Sequence, residues 1–166
     1  GNTGTFRVLS GSSLDFQTFI LSATANATFA ANTGSTLISA NTNATGAFQT
    51  STANGSVQTS TRTFTNAGVS YTFNGASAQF TGNAIAAASD IRNLTINNAN
   101  GVTLSGSTLM SATGTLLFTS GVLDIAAVDL TMTSGATISG ATATRYVKTS
   151  STGQLKRTTL TSAFNF

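Results

Sequence analysis

The sequence contains no cysteine, histidine, tryptophan, proline or glutamate. Without Cys there is no disulfide framework, and without Cys or His the usual zinc ligand sets are missing. No Ser-His-Asp or Cys-His constellation can form. Average usage would supply about 8 prolines and about 25% charged residues; the chain has none of the first and 7% of the second. Its acidic residues are Asp15, Asp90, Asp124 and Asp129. Lack of Glu and scarcity of Lys remove the common surface-helix formers. No apolar run approaches the ~18 residues of a membrane-spanning helix, so no membrane insertion is expected. The opening Gly1-Asn2-Thr3-Gly4 lacks the charged-then-apolar pattern of a leader. The expectation is a removed leader, or a piece of a longer protein. Cysteine-free sequence is compatible with export but does not assign a compartment.

What fills the 166 residues is Thr, Ser and Asn, roughly 40% of the chain. Hydrophobic residues make up a further 40%, too many for a typical disordered polypeptide. Thr, Val, Ile, Phe and Tyr favour strands, and Asn, Gly and Ser favour turns. The chain therefore reads as nearly all β, and its length as one domain. A net charge of +3 produces little long-range field, and the basic residues are too sparse for a nucleic-acid-binding stripe. Mean hydropathy of +0.17 is accounted for by Ala and Phe stacked inside a core.

A repeat is visible in the second half. Apolar clusters at Ile91–Ile96, Val102–Leu104, Leu109–Met110, Leu116–Phe118, Val122–Ile125, Leu130–Met132 and Ile138 follow one another at 7 or 8 residues. Turn formers such as Asn97-Asn98-Ala99-Asn100-Gly101, Ser120-Gly121 and Ser134-Gly135 separate them. A longer period lies on top. Leu94, Leu116, Ile138 and Leu160 stand 22 residues apart, and Thr115, Thr137 and Thr159 keep that spacing one position earlier. Neighbours on a strand point to opposite faces, so a column of aliphatics points in and a column of Thr points out. About three short strands per ~22-residue coil is the signature of a single-stranded parallel β-helix, or β-solenoid. Roughly seven coils at ~4.8 Å per rung would make a rod about 35 Å long.

Residues 61–166 are expected to form regular coils and residues 1–60 less regular ones. Nine of the eleven Phe precede residue 119, which predicts wider, Phe-stacked coils in the first half. Thr63-Phe64-Thr65, Tyr71-Thr72-Phe73 and Ala78-Gln79-Phe80 read as alternating strands. Ala84–Ala88 reads as a bulged corner in preference to a helical turn. No end cap is apparent, which fits a fragment of a longer protein.

Residues 62–160 carry an ordered series: Arg62-Thr63-Phe64, Tyr71-Thr72-Phe73-Asn74-Gly75, Phe80-Thr81-Gly82-Asn83, Ile91-Arg92-Asn93-Leu94-Thr95-Ile96-Asn97-Asn98, Gly101-Val102-Thr103-Leu104, Gly114-Thr115-Leu116, Thr119-Ser120-Gly121, Arg145-Tyr146-Val147-Lys148 and Gly153-Gln154-Leu155-Lys156-Arg157. The series resembles the repetitive β-solenoid segments of very large secreted, adhesin-like surface proteins of Bacteroidetes. Those are exported by the type IX, gliding-linked secretion system. The resemblance covers about three fifths of the chain and implies a right-handed helix, in keeping with the general hand of crossover connections. It also implies an extracellular or cell-surface setting and a scaffold or adhesive role. A Pro-Val-Gly segment and a sorting domain often follow the last motif in such proteins; this sequence stops at Phe166 before either.

Candidate sites are few. Arg145, Lys148, Lys156 and Arg157 hold four of the seven cations. They read either as a patch for acidic polysaccharide or phosphate polymer, or as solubilising charges on strand edges. Phe64, Tyr71, Phe73 and Phe80 read either as a sugar-stacking platform or as core aromatics. Asp124 and Asp129 are the one close carboxylate pair, but glycoside hydrolysis needs two carboxylates flanking a bond at about 5–5.5 or 6.5–9.5 Å, and no third acid supports them. They read as strand-end residues. The Thr column suggests an ice-binding face, yet its expected companions at 113, 135 and 157 are Thr, Gly and Arg. Sequons at Asn26, Asn43, Asn54 and Asn93 are as frequent as chance predicts in a Ser/Thr-rich chain. No catalytic residue, metal or cofactor is expected. The expected function is a non-catalytic, structural or adhesive solenoid. Its partners would be the remainder of a larger surface protein or the secretion machinery, and possibly extracellular polysaccharide, but no nucleic acid. A carbohydrate-binding or polysaccharide-degrading β-helix is the alternative, and an ice-binding solenoid the third reading.

Overall fold

The structure, a computed structural model, describes residues 4–23, 26–50, 54–64, 67–87 and 90–158. It is a β-solenoid of about six turns, with coils roughly 23 residues apart. The first coil holds β1 (Thr5–Val8), β2 (Ser13–Asp15) and β3 (Leu21–Ser22). The second holds β4 (Thr28–Ala31), β5 (Thr36–Ser39) and β6 (Val57–Gln58). The third holds β7 (Thr61–Phe64), β8 (Ala67–Phe73) and β9 (Gln79–Phe80), followed by a helical turn, α1 (Asn83–Ala87). Next come β10 (Asp90–Asn97) and β11 (Val102–Thr103), then β12 (Thr108–Ser120) and β13 (Leu123–Asp124). The last coils are β14 (Leu130–Met132), β15 (Thr137–Ser139) and β16 (Val147–Lys148), with β17 (Leu155–Arg157) beginning another turn.

Every ladder between these strands is parallel, as stacking one coil on the next requires. Three faces result. β1, β4 and β7 begin the first face, and β14 and β17 continue it over the start of β12. The second runs β2, β5, β8, β10, β12 and β15. The third carries β3 and β6, then β9, β11, β13 and β16. β12 pairs with β14 through Thr108–Met110 and with β15 through Thr115–Leu117. It therefore bends through the corner between the first two faces and joins them into one sheet.

The 22-residue aliphatic column exists. Leu94 lies beside Leu116, and Leu116 beside Ile138. Leu160 and Thr159 fall outside the described residues. The column extends the other way through Tyr71, Leu37 and Leu14. Leu37, Tyr71, Leu94 and Leu116 are fully buried, whereas Ile138 is 41% exposed because no described strand stacks beyond it.

The expected irregularity of the first half lies in the second coil. Phe29 pairs with Arg62, 33 residues on, and Leu37 with Tyr71, 34 on. The surplus crosses the third face twice: Leu21 N donates to Ser56 O, Ser56 N to Ala47 O, and Ala47 N to Phe80 O. This longer coil is why the chain makes about six turns rather than seven. The added crossing carries Phe48 into the core, where its ring lies 5.4 Å from Tyr71, 5.9 Å from Phe73, and 6.0 Å from both Phe16 and Phe64. Such tilted and edge-to-face pairs add to the burial of the rings.

Two local expectations are corrected. Residues 83–87 form a helical turn where a bulged corner was expected. Ala is the strongest helix former, Ala84 and Ile85 are buried under the turn, Ala84 N donates to Phe48 O, and Asn83 Oδ1 accepts from Thr50 N. In Ala78-Gln79-Phe80 the polar residue is the inward one: Gln79 is fully buried and Phe80 is 39% exposed. Gln79 is held there by four hydrogen bonds. Its Oε1 accepts from Gly75 N and Asn98 Nδ2, and its Nε2 donates to Ser39 O and Asn41 O.

Candidate functional site

The basic residues at the C-terminal end do not stand free on the surface: each is bonded to the rung before it. Lys148 sits one rung beyond Asp124 on the third face, and its Nζ lies 3.2 Å from Asp124 Oδ2. Lys156 Nζ lies 2.6 Å from Asp129 Oδ2. Arg145 donates to Thr119 O, and Arg157 to Ser134 O and Ala136 O. Each cation thus ties the end of the solenoid to the rung before it. The carboxylates are committed by the same contacts. Asp124 Oδ1 accepts from the Ala126 and Ser150 amides, and Asp129 Oδ1 from Gln154 N. Partial burial raises the Asp124 pKa, but those amides and Lys148 outweigh it and hold the carboxyl below the usual aspartate range. For Asp129 the Lys156 contact dominates, in the same downward direction. Both carboxylates are thus engaged by the cations and amides of the coil beyond them.

The aromatic platform is likewise not on the surface. Phe64, Tyr71 and Phe73 are interior, because the side chains at their alternating positions point into the coil, and only Phe80 of the four reaches solvent. Burial pushes the Tyr71 phenol far above its ordinary pKa, and no described group hydrogen-bonds to its hydroxyl.

The Thr column is real: Thr115 Oγ1 and Thr137 Oγ1 are 3.1 Å apart. It continues backward as Asn93, Ser70, Thr36 and Ser13. Its companion column on this face lies two positions after each residue, not two before. It reads Asp15, Ile38, Thr72, Thr95, Leu117 and Ser139. From the second coil onward these two columns carry no charge, but Ile38 and Leu117 interrupt the hydroxyls.

Sequence reading missed a groove at the corner where the second face begins. It has a volume of about 290 Å³ and is lined in succession by Gly34, Gly68, Asp90, Arg92, Ser111 and Thr113. The available signal was Asp90 and Arg92 flanking the buried Ile91, the one place where opposite charges stand two apart at a regular coil's start. Among the described residues no group of three or more acids could hold a metal, and no helix is long and apolar enough to cross a membrane. Comparison with protein-family models, curated proteins and solved structures gave no match.

Proposed function

We propose that the chain is a non-catalytic, stiff display scaffold from a bacterial cell-surface or secreted protein of the adhesin-like, type IX-exported kind. The supporting observation is the ladder of the second face, which passes through β2, β5, β8, β10, β12 and β15 with one continuous inward column. A load along the axis is shared among the coil-to-coil hydrogen bonds of three faces. Its partners are the rest of a larger surface protein and, through surfaces repeated along the rod, other extracellular material. Weak contacts repeated on one rod gain through effective concentration.

Single-molecule stretching of the chain between two reference domains tests this. Rupture at forces above those of the reference domains, with length gains in multiples of one coil, supports the scaffold. Extension at low force without such steps overturns it.

A further inference from the structure

The groove at the corner between the first and second faces crosses four consecutive coils, from Gly34 through Gly68 and Asp90 to Ser111. At about 4.8 Å per rung it runs roughly 14 Å along the solenoid axis. We propose that it binds a short stretch of a neutral polysaccharide, laid parallel to that axis.

Three observations converge. Asp90 Oδ1 and Ser111 Oγ, both on groove-lining residues, are withdrawn from solvent and have no hydrogen-bond partner. Gln79 and Asn98, by contrast, have both side-chain polar atoms bonded, while Ser35, Tyr71, Asn74 and Thr133 share the unpartnered state away from the groove. An orphaned carboxylate oxygen lacks a donor that the protein could supply, and Asp90 and Ser111 both line the groove. Next, the composition of the wall suits a polyol. Asp90 accepts, Arg92 donates, and the hydroxyls of Ser111 and Thr113 do both. The charges of Asp90 and Arg92 cancel, so the groove offers no net attraction to phosphate or uronate. Last, the opposite end of the groove is floored by Gly34 and Gly68, both in the left-handed region at φ 81°. The Cβ that each lacks would run against the preceding coil, 2.6 Å from Ser10 Oγ and 3.2 Å from Thr33 Cγ2, and the backbone there is bare. At about 290 Å³ the groove is at the small end for ligand sites, which suits one or two sugar rings and a weak individual contact.

The test is an amide NMR titration of the 166-residue chain with three probes: β-linked glucose oligomers, β-linked N-acetylglucosamine oligomers and a uronate oligomer. The expected result is that one neutral series moves the amides of Gly68, Arg92, Ser111 and Thr113, with little change on adding salt. Arg92→Gln, an exposed substitution that leaves the core untouched, and Ser111→Val should each weaken that binding about tenfold, with the remaining spectrum unchanged. Absence of shifts with both neutral series, shifts confined to other faces, or binding of the uronate alone would each overturn the proposal. None of these outcomes bears on the stretching behaviour.

Discussion

Gln79 Oε1 accepts a hydrogen bond from Asn98 Nδ2 at 2.9 Å, joining successive coils inside the same corner. Asn98 also donates to Ser77 O and accepts from Asn100 N. With the bonds of Gln79 to Ser39 O and Asn41 O, the chain of contacts spans three coils. Gln79→Leu takes from Gly75 N and Asn41 O the partners described, and removes one of two bonds from each of Asn98 Nδ2 and Ser39 O. An unfolding stability loss of about 3 kcal/mol or more is expected, read as the shift in urea midpoint. Because the two residues share one network, Gln79→Leu combined with Asn98→Ala should lose less than the two single changes added together.

Phe48 and Phe19 make a matched pair of opposites. Phe48 is enclosed by four rings, while Phe19 is 75% exposed. Phe48→Ala opens a cavity and should cost about 3–5 kcal/mol. Phe19→Ala should stay within about 0.5 kcal/mol. Equal losses in denaturant titrations would mean that the second coil is not packed as described.

Gly11 and Gly121 share a left-handed backbone, at φ 76° and 77°. A Cβ on Gly11 would meet nothing within 4 Å, whereas one on Gly121 would fall 1.8 Å from Asn98 O. Gly11→Ala should therefore cost only the conformational term, about 1–2 kcal/mol. Gly121→Ala must also displace the neighbouring coil and should lose about 3 kcal/mol or more. Thermal melts of the two variants side by side separate strain from collision.

Asp124 makes stability depend on pH in a definite direction. Its carboxyl titrates below the usual range when folded, so the unfolded chain takes up the proton more readily. Its contribution is complete above the ordinary aspartate pKa of about 3.9 and disappears as pH falls through the lowered folded value. Urea midpoints should hold steady from about pH 7 to pH 5 and then decline. Asp124→Asn should be less stable at neutral pH and show a shallower decline. The exposed Lys156–Asp129 pair acts in the same direction and should weaken in high salt.

The regular coils were legible because Leu94, Leu116 and Ile138 repeat an aliphatic side chain at one spacing, and only stacking makes that spacing meaningful. The same column was illegible upstream for two physical reasons. Tyr71 occupies a place where Leu was the visible marker, and the second coil inserts a further crossing that moves Leu37 and Tyr71 34 residues apart. The inward Gln79 could not be read from alternation, since its partners Ser39, Asn41 and Asn98 lie 40, 38 and 19 residues away. The charges at the C-terminal end were visible as residues but not as pairs. Asp124 and Lys148 become neighbours only through the register of β13 on β16. The groove was hidden for a similar reason, because its lining is gathered one or two residues at a time from successive coils.

The ladders of this molecule join residues separated by one coil, whether near the beginning of the chain or near its end. Loop closure rises with the logarithm of the loop, and here the loop to be closed is set by the coil and not by the chain. Lengthening such a molecule by whole coils would therefore leave the entropic barrier to each new closure unchanged. Growth could proceed turn by turn as the chain emerges, each finished turn templating the next, so that reach is limited by the length synthesised rather than by the difficulty of folding it.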